Sequence, residues 1–293
     1  MLTPEALNRA GLGKDKLNDL SEISKAAATI GSKVLMSHYG HITKVRNKGT
    51  IGDLVTEADI ESETKIISFL NEKTQDISIL AEESGLTGSY NSLYWCIDPL
   101  DGTTNFAHSY PLFATSVGLI WKNIPILGAI AVPYLNELYW GCPHIGAFCN
   151  DMPINVSKAT NLEDSLLVTG FAYDRLTTKN NNYAEFCWMT HKTRGVRRGG
   201  AAAVDLAFVA SGRLDGYWER GLAKWDLAAG VPIVELAGGL VSDYPTGNFD
   251  LTNGRILAST ASISNDLKNE LGKVIPLEEQ FYCVPHPRTQ YSN

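Results

Sequence analysis

Three aspartates, Asp98, Asp101 and Asp226, together with Glu82 upstream, are the residues of this chain whose type and placement best suit chemistry. The first two lie in the run Trp95-Cys96-Ile97-Asp98-Pro99-Leu100-Asp101-Gly102-Thr103-Thr104-Asn105. Carboxylates brought to one point repel one another unless cations sit between them. Hard oxygen ligands without paired His or Cys favour Mg²⁺, Mn²⁺ or Ca²⁺ over zinc. Gly102 followed by two threonines supplies backbone N–H groups suited to a phosphate, at the start of a short helix whose dipole favours negative charge. Together these features point to metal-assisted hydrolysis of a phosphate ester.

Each residue also has a plainer reading. Asp before Pro and Asp before Gly are common in ordinary turns, so the local sequence around Asp98 and Asp101 fits a turn as well as a metal site. The Ala-Glu-Glu-Ser-Gly stretch around Glu82 fits a solvated turn, although it follows an apolar strand, Ile77 to Leu80, which would present Glu82 at a sheet end. Asp226 reads as a helix N-cap. It can also face a cation, because a carboxylate at a helix N-terminus has a second oxygen to offer. His41, His108, His144, His191 and His286 have no metal-ligand spacing and read as solvated or core residues.

The elements that must position these side chains follow from periodicity. Leu20, Ile23, Ala27, Ile30 and Val34 recur at spacings of three and four, the stripe of an amphipathic helix ending near Gly40. A second helix is predicted from Glu57 to about Lys73, opened by Thr56-Glu57-Ala58-Asp59 as a capping box. Phe113 to Trp121, Ile126 to Val132, Glu137 to Trp140 and Ala147 to Asn150 read as strands of an antiparallel meander, broken at Asn123-Ile124-Pro125, Pro133 and Pro143. Beyond Ser157 strands and helices alternate: a strand at Leu166 to Gly170, helices near Tyr183 to His191 and from Ala201 to Ser211, and a strand at Leu214 to Trp218. One buried helix is expected after Asp226 through Leu227, Val231, Val234 and Leu236, kinked by Pro232 and closed by Gly238-Gly239. These patterns divide the chain into an α+β part over 1–158, an α/β part over 159–274 and a tail over 275–293.

Composition bounds the function. The 293 residues carry a net charge of -7, with 44% hydrophobic and 19% charged residues, which is ordinary for a soluble globular protein. That balance gives no electrostatic reason to bind nucleic acid or an anionic membrane. The longest apolar region, Leu112 to Tyr134, is interrupted by Lys122, Asn123 and Pro125, against a membrane span. Five cysteines without a CxxC pair suggest neither a disulfide framework nor a zinc knuckle, and fit a reducing cytoplasm. No secretory signal is visible in Met1 to Ala10; an organelle stroma is the other expected location if a transit peptide has been removed.

The run Ile97-Asp98-Pro99-Leu100-Asp101-Gly102-Thr103-Thr104-Asn105-Phe106 resembles the central signature of the inositol monophosphatases. Three further blocks of that family stand in order: Gly52-Asp53-Leu54-Val55-Thr56-Glu57-Ala58-Asp59, Ala81-Glu82-Glu83-Ser84-Gly85, and Lys224-Trp225-Asp226-Leu227-Ala228-Ala229-Gly230. The resemblance implies a layered α/β/α/β/α sandwich, two or three Mg²⁺ per subunit and a homodimer. It implies that Glu82, Asp98, Asp101 and the Leu100 carbonyl ligate the first metals, and that Asp226 completes the second site. It gives Thr103 the positioning and deprotonation of the attacking water, with Asp59 as its proton acceptor, and places Lys48 and Asp53 near a third metal. Asp101, Gly102, Thr103, Gly200, Ala202, Glu219 and Asp226 are then the substrate-binding residues, with Glu219 accepting from substrate hydroxyls. The implied reaction is hydrolysis of a small phosphorylated metabolite, foremost myo-inositol 1-phosphate, by metal-activated water. Histidinol phosphate, sugar or nucleotide bisphosphates, and a non-enzymatic regulatory role are the rival readings. An aspartyl-phosphate mechanism is disfavoured, because two residues separate Asp98 from Asp101 where an Asp-x-Asp motif has one.

Overall fold

The computed structural model describes residues 4–42, 45–47, 54–88, 91–244 and 247–277. Lys48 and Asp53 lie outside the described residues, as does the tail beyond Leu277. A short helix α1 (Pro4–Arg9) leads into α2 (Lys14–His38), which buries Leu17, Leu20, Ala27, Ala28, Val34 and Leu35 along one side. Strands β1 (Val45–Asn47) and β2 (Leu54–Thr56) pair antiparallel, and α3 (Glu57–Lys73) starts directly from β2. The capping box is present as the sequence predicts: the Thr56 N–H donates to Asp59 Oδ2 at 2.8 Å, and the Thr56 hydroxyl accepts from the Ala58 N–H at 3.2 Å.

The larger sheet has eight strands: β3 (Ser78–Ala81), β4 (Gly85–Thr87), β5 (Leu93–Asp101), β6 (Ala114–Trp121), β7 (Ile124–Val132), β8 (Glu137–Cys142), β9 (Gly146–Cys149) and β10 (Met152–Pro153). From β5 to β10 it is the antiparallel meander that the proline punctuation predicts, and only β3 and β5 run parallel. The β6–β7 turn falls at Lys122-Asn123, both at positive φ, one residue earlier than expected.

An irregularity in β5 builds the site. Asp98 pairs with Ser116 and Asp101 with Ala114, so three steps on β5 oppose two on β6. In an unbroken strand, residues three apart point to opposite faces. The extra residue at Pro99-Leu100 absorbs one step and returns Asp101 to the face used by Asp98. Proline suits this place because its missing N–H costs no ladder bond at a bulge.

After β5 comes the short helix α4 (Thr103–Ala107). The smaller sheet, ordered β12-β11-β13-β15-β14, comprises β11 (Leu166–Thr169), β12 (Gly195–Arg197), β13 (Gly216–Arg220), β14 (Gly239–Ser242) and β15 (Arg255–Thr260). Its β11 pairs parallel with both β12 and β13, while β15 runs antiparallel to β13 and β14. Helices α5 (Tyr183–Lys192) and α9 (Ala261–Gly272) cover its outer face. Helices α6 (Ala202–Ala210), α7 (Lys224–Ala228) and α8 (Gly230–Leu236) lie between the two sheets, with α2 and α3 on the far side of the larger one. The order is the expected α/β/α/β/α sandwich. One apolar core runs through its middle, from Ile130 and Tyr139 of the larger sheet through Leu206 and Val234 to Tyr217 and Ile256 of the smaller.

Three expectations are corrected. The helix after Asp226 is not one kinked rod but two, α7 and α8, parted at Ala229. Pro232 has no N–H to give the Ala228 carbonyl four residues back, so α7 ends there and Pro232 sits in the first turn of α8, where a missing donor costs nothing. Nor is Asp226 the N-cap of α7: it is the third helical residue, and its Oδ2 accepts from the Ala223 N–H at 2.7 Å. The predicted strand at Leu214 to Trp218 is also displaced by two residues, which brings Glu219 into β13.

Candidate metal centre and phosphate site

Oxygens of Asp98, Asp101 and Asp226 lie within 4.8 Å of one another. The three come from different places in the chain: the bulged end of β5 supplies two, and the first turn of α7 the third. Glu82, in the turn between β3 and β4, joins them in the wall of a cavity of about 340 Å³. Asp98 Oδ1 accepts from the Leu100 N–H at 3.0 Å, while both oxygens of Asp101 accept from the start of α6, from Ala202 at 3.1 Å and Ala203 at 2.7 Å. Asp101 thereby ties β5 to the helix layer while keeping lone pairs for a ligand.

The electrostatics fit a cation. Burial, and after it the charges of Glu82, Asp101 and Asp226, push the Asp98 carboxyl well above the usual range. Burial raises Asp101 to about 7, against the opposing pull of the Ala203 and Ala202 N–H groups. Asp226 rises through burial and the charges of Asp101 and Glu82. Three mutually repelling, largely buried carboxylates, with no basic side chain bonded to them among the described residues, are a poor arrangement for a protein alone and a good one for hard divalent ions. The all-oxygen donor set fits Mg²⁺.

Gly102 opens α4 at φ +86°, a left-handed conformation in which a side chain would be strained, and a Cβ there would stand 3.0 Å from both the Leu112 carbonyl and the Ala201 methyl. Gly102 and Thr103, at the start of α4, both line the cavity. The Thr103 hydroxyl is within reach of two acceptors, Leu100 O at 3.0 Å and Asp59 Oδ1 at 3.3 Å. Asp59 is fully buried behind the cavity wall, with its Oδ2 held by the amide and hydroxyl of Thr56.

Gly200, Ala202 and Glu219 also line the cavity, Ala202 directly against Asp101. Burial lifts Glu219 to about 7, while the Tyr217 hydroxyl, donating to Oε2 at 2.6 Å, and the Arg198 guanidinium oppose the rise. The structure thus brings together every described residue named from sequence, with Asp59 reaching the cavity only through Thr103. Sequence reasoning missed several others. Arg198 Nη1 occupies the space that a Cβ on Gly200 would need, a cation in a wall otherwise rich in acids. The segment Gly170 to Tyr173, just after β11, also lines the cavity; its position beyond a strand's carboxyl end was the available signal. Asp205, buried in α6, is raised by burial and by the charge of Glu219.

Comparison with known proteins agrees with this geometry. The model of the inositol monophosphatase family matches residues 16–276. The chain is 50% identical over 251 residues to an inositol-1-monophosphatase of Synechocystis sp., covering 85% of this chain and 88% of that protein. It is 40% identical over 267 residues to the chloroplastic phosphatase IMPL1 of Arabidopsis thaliana, covering 89% of this chain and 71% of that one. The solved inositol monophosphatase of Anabaena (Nostoc) sp. matches with a TM-score of 0.81 at 45% identity, over 89% of this chain and 98% of that one. Four sequence blocks, the bulge that turns two aspartates to one face, the five-layer sandwich and these matches lead to one assignment: the chain belongs to the inositol monophosphatase family.

Proposed function

We propose that this phosphatase hydrolyses inositol 1-phosphate to inositol and phosphate with Mg²⁺ as cofactor. The observation that carries the reading is the convergence of Asp98, Asp101 and Asp226 oxygens within 4.8 Å, in a cavity that Gly102, Thr103 and Glu219 also line. Glu82, Asp98, Asp101, Asp226 and the Leu100 carbonyl are the residues that would hold two or three ions. Bound there, Mg²⁺ neutralises phosphate charge and lowers the pKa of a water.

The chain's own groups do the rest. The Gly102 and Thr103 amides hold the phosphate oxygens. The Thr103 hydroxyl accepts a proton from the attacking water as its own proton moves to Asp59 Oδ1. The Thr56 amide and hydroxyl, both donating to Asp59 Oδ2, orient the carboxylate so that Oδ1 meets the Thr103 hydroxyl. Glu219, with Gly200 and Ala202 beside it, receives the hydroxyls of the leaving group.

Names among the relatives support this substrate, and a further one, the fructose-1,6-bisphosphatase/inositol-1-monophosphatase of Aquifex aeolicus, is 36% identical over 245 residues. Arg198 over Gly200 favours a second reading in which a leaving group with its own anion is also accepted. On the family resemblance we also propose a homodimer acting in the cytoplasm, or in an organelle stroma after loss of a leader. A division at residue 158, with most metal ligands before it and Asp226 after it, suits the placement of the two sheets. The experiment is a phosphate-release panel with Mg²⁺ over inositol 1-phosphate, histidinol phosphate, fructose 1,6-bisphosphate and adenosine 3′,5′-bisphosphate. Inositol 1-phosphate turning over fastest supports the assignment; turnover of it far below that of another member replaces the substrate while leaving the metal chemistry in place.

A further inference from the structure

Helix α3 buries an unusual stripe of polar side chains: Asp59, Ser62 and Glu63 are each under 5% exposed. At spacings of three and four they share one helix face. Each grips a different part of the site. Asp59 accepts from the Thr103 hydroxyl at 3.3 Å, and the Ser62 hydroxyl donates to the Pro99 carbonyl at the β5 bulge at 3.1 Å. Glu63 reaches into the turn between β3 and β4. Its Oε2 accepts from the Glu83 N–H at 2.9 Å and its Oε1 from the Ser84 N–H at 2.9 Å.

That turn has only three residues, Glu82, Glu83 and Ser84, because Ala81 pairs with Gly85 across the hairpin. Two of its three amides are thus taken by one buried carboxylate, and the third, that of Glu82, donates to the Ile97 carbonyl at 3.2 Å, next to Asp98. All three turn amides are therefore fixed, and with them the backbone from which the Glu82 side chain starts. A charged acceptor on two N–H groups is a strong tether, and a buried one resists exchange with water.

We propose that Glu63 is a positioning residue for the metal centre: by clamping the Glu83 and Ser84 amides it sets where the Glu82 carboxylate meets Asp98. The inference rests on the reading that Glu82 and the aspartates hold Mg²⁺. Glu63 contributes no ligand itself; its effect passes through the backbone of the turn. Outer partners of metal ligands commonly govern affinity by about 10- to 100-fold.

The test is Mg²⁺ binding by calorimetry to the metal-free full-length chain, wild type against Glu63→Gln. Gln keeps one acceptor and turns an N–H₂ toward the other amide, so one tether is lost with little change in shape. The expected result is a Mg²⁺ Kd weakened about 10-fold or more, with kcat recovering toward wild type at saturating Mg²⁺. Glu61→Gln, on the exposed face of the same helix, should leave the Kd unchanged. A Kd within about twofold of wild type for Glu63→Gln, even with a lowered melting temperature, would overturn the positioning role and leave Glu63 a purely structural residue. If the wild type itself bound no Mg²⁺, the metal reading would fall and this inference with it. Should Glu63→Gln not fold, hydrogen exchange of the metal-free wild type decides: slow exchange at Glu83 and Ser84 supports the clamp, and exchange at the rate of an open loop overturns it.

Discussion

Gly170 and Glu219 are in such close contact that a Cβ on Gly170 would collide with both oxygens of the Glu219 carboxylate. The glycine follows β11, the strand next to β13, and the absence of a side chain there is what lets the Glu219 carboxylate lie against the sheet with the Tyr217 hydroxyl on its Oε2. Gly170→Ala is therefore a steric probe of Glu219. The obstructed group is the end of a side chain, so the chain should stay folded while the carboxylate swings away. We expect kcat/KM for inositol 1-phosphate to fall about tenfold, mostly through KM, equivalent to about 1.4 kcal/mol. Unchanged kinetics in the folded variant would show that Glu219 does not contact the substrate.

Charge at the same place can be tested without moving it. Glu219→Gln keeps the shape but weakens a charge-assisted hydrogen bond to neutral inositol hydroxyls, at a cost of about 1 to 2 kcal/mol in kcat/KM. Histidinol phosphate carries a cationic amine and should lose distinctly more. Equal losses on both substrates would remove Glu219 from the leaving-group side.

The carboxylate cluster makes the metal-free protein sensitive to pH. Asp98, Asp226 and, at about 7, Asp101 hold protons more tightly when folded than the usual carboxylate does, chiefly because burial disfavours the charge. Between the ordinary carboxylate range and the raised values the folded state binds more protons than the unfolded one, so stability falls as pH rises through that window. The metal-free melting temperature should drop from about pH 5 to about pH 8, and Mg²⁺ should flatten that slope, because ions bind the deprotonated set. A metal-free profile that is level across this range would show that folding does not raise the proton affinity of the three carboxylates.

Asp98→Asn examines the same repulsion at one atom pair. The Asp98 and Glu82 carboxyls are close enough to share a hydrogen bond, which two ionised groups cannot make. An amide can: the substituted side chain would accept from the Leu100 N–H with its oxygen and donate to Glu82 with its nitrogen. We expect the metal-free variant to be more stable than wild type at about pH 8, by about 1 kcal/mol or more, and to lose nearly all turnover. Calorimetry of the two metal-free proteins decides; a destabilised variant would give Asp98 a mainly structural role.

Much of this was legible in the chain because local chemistry agrees with the global arrangement. Thr56 and Asp59 form their cap whether or not a site exists behind it, and the proline-punctuated strands after Phe113 fall into their meander by register alone. The carboxylates and their meeting were legible through the family motifs, but the way the chain builds that meeting was not: it depends on the β5 bulge, whose cause is the pairing with β6, and on the first turn of α7. Asp226 reads as a cap from sequence because a carboxylate suits either place at a helix start; from the third helical position it reaches back to the N–H of the capping residue, Ala223. Glu63 and Arg198 gave no signal because an isolated Glu on a helix, or an Arg before two glycines, shows its partners only once distant segments have packed.

A last prediction concerns the segment that closes the leaving-group side. Tyr173 begins a 3₁₀ turn (Tyr173–Leu176) whose Asp174 is gripped by both terminal nitrogens of Arg220, next to Glu219 in β13. Arg220 is largely buried whereas the Asp174 side chain is about half exposed, at 10% and 54%. The pair thus connects the strand that carries Glu219 to an otherwise exposed turn. Phe171, three residues before Asp174 and packed on Tyr183 and Phe186, holds the inner end of the same segment. Asp174→Asn removes the charge at the exposed end. Stability should change little, within about 1 kcal/mol, because Asp174 is itself half exposed and the Asn oxygen can still accept from Arg220. The consequence should instead appear in substrate handling. A looser Phe171 to Tyr173 wall weakens contact with the leaving group but leaves the metal centre alone, so KM for inositol 1-phosphate should rise severalfold at unchanged Mg²⁺ dependence. Selectivity should also narrow across the phosphate-release panel, since shape exclusion is lost for every substrate alike. Steady-state kinetics of Asp174→Asn across that panel make the check: an unaltered KM with unaltered selectivity would show that the Arg220 tether serves only the surface.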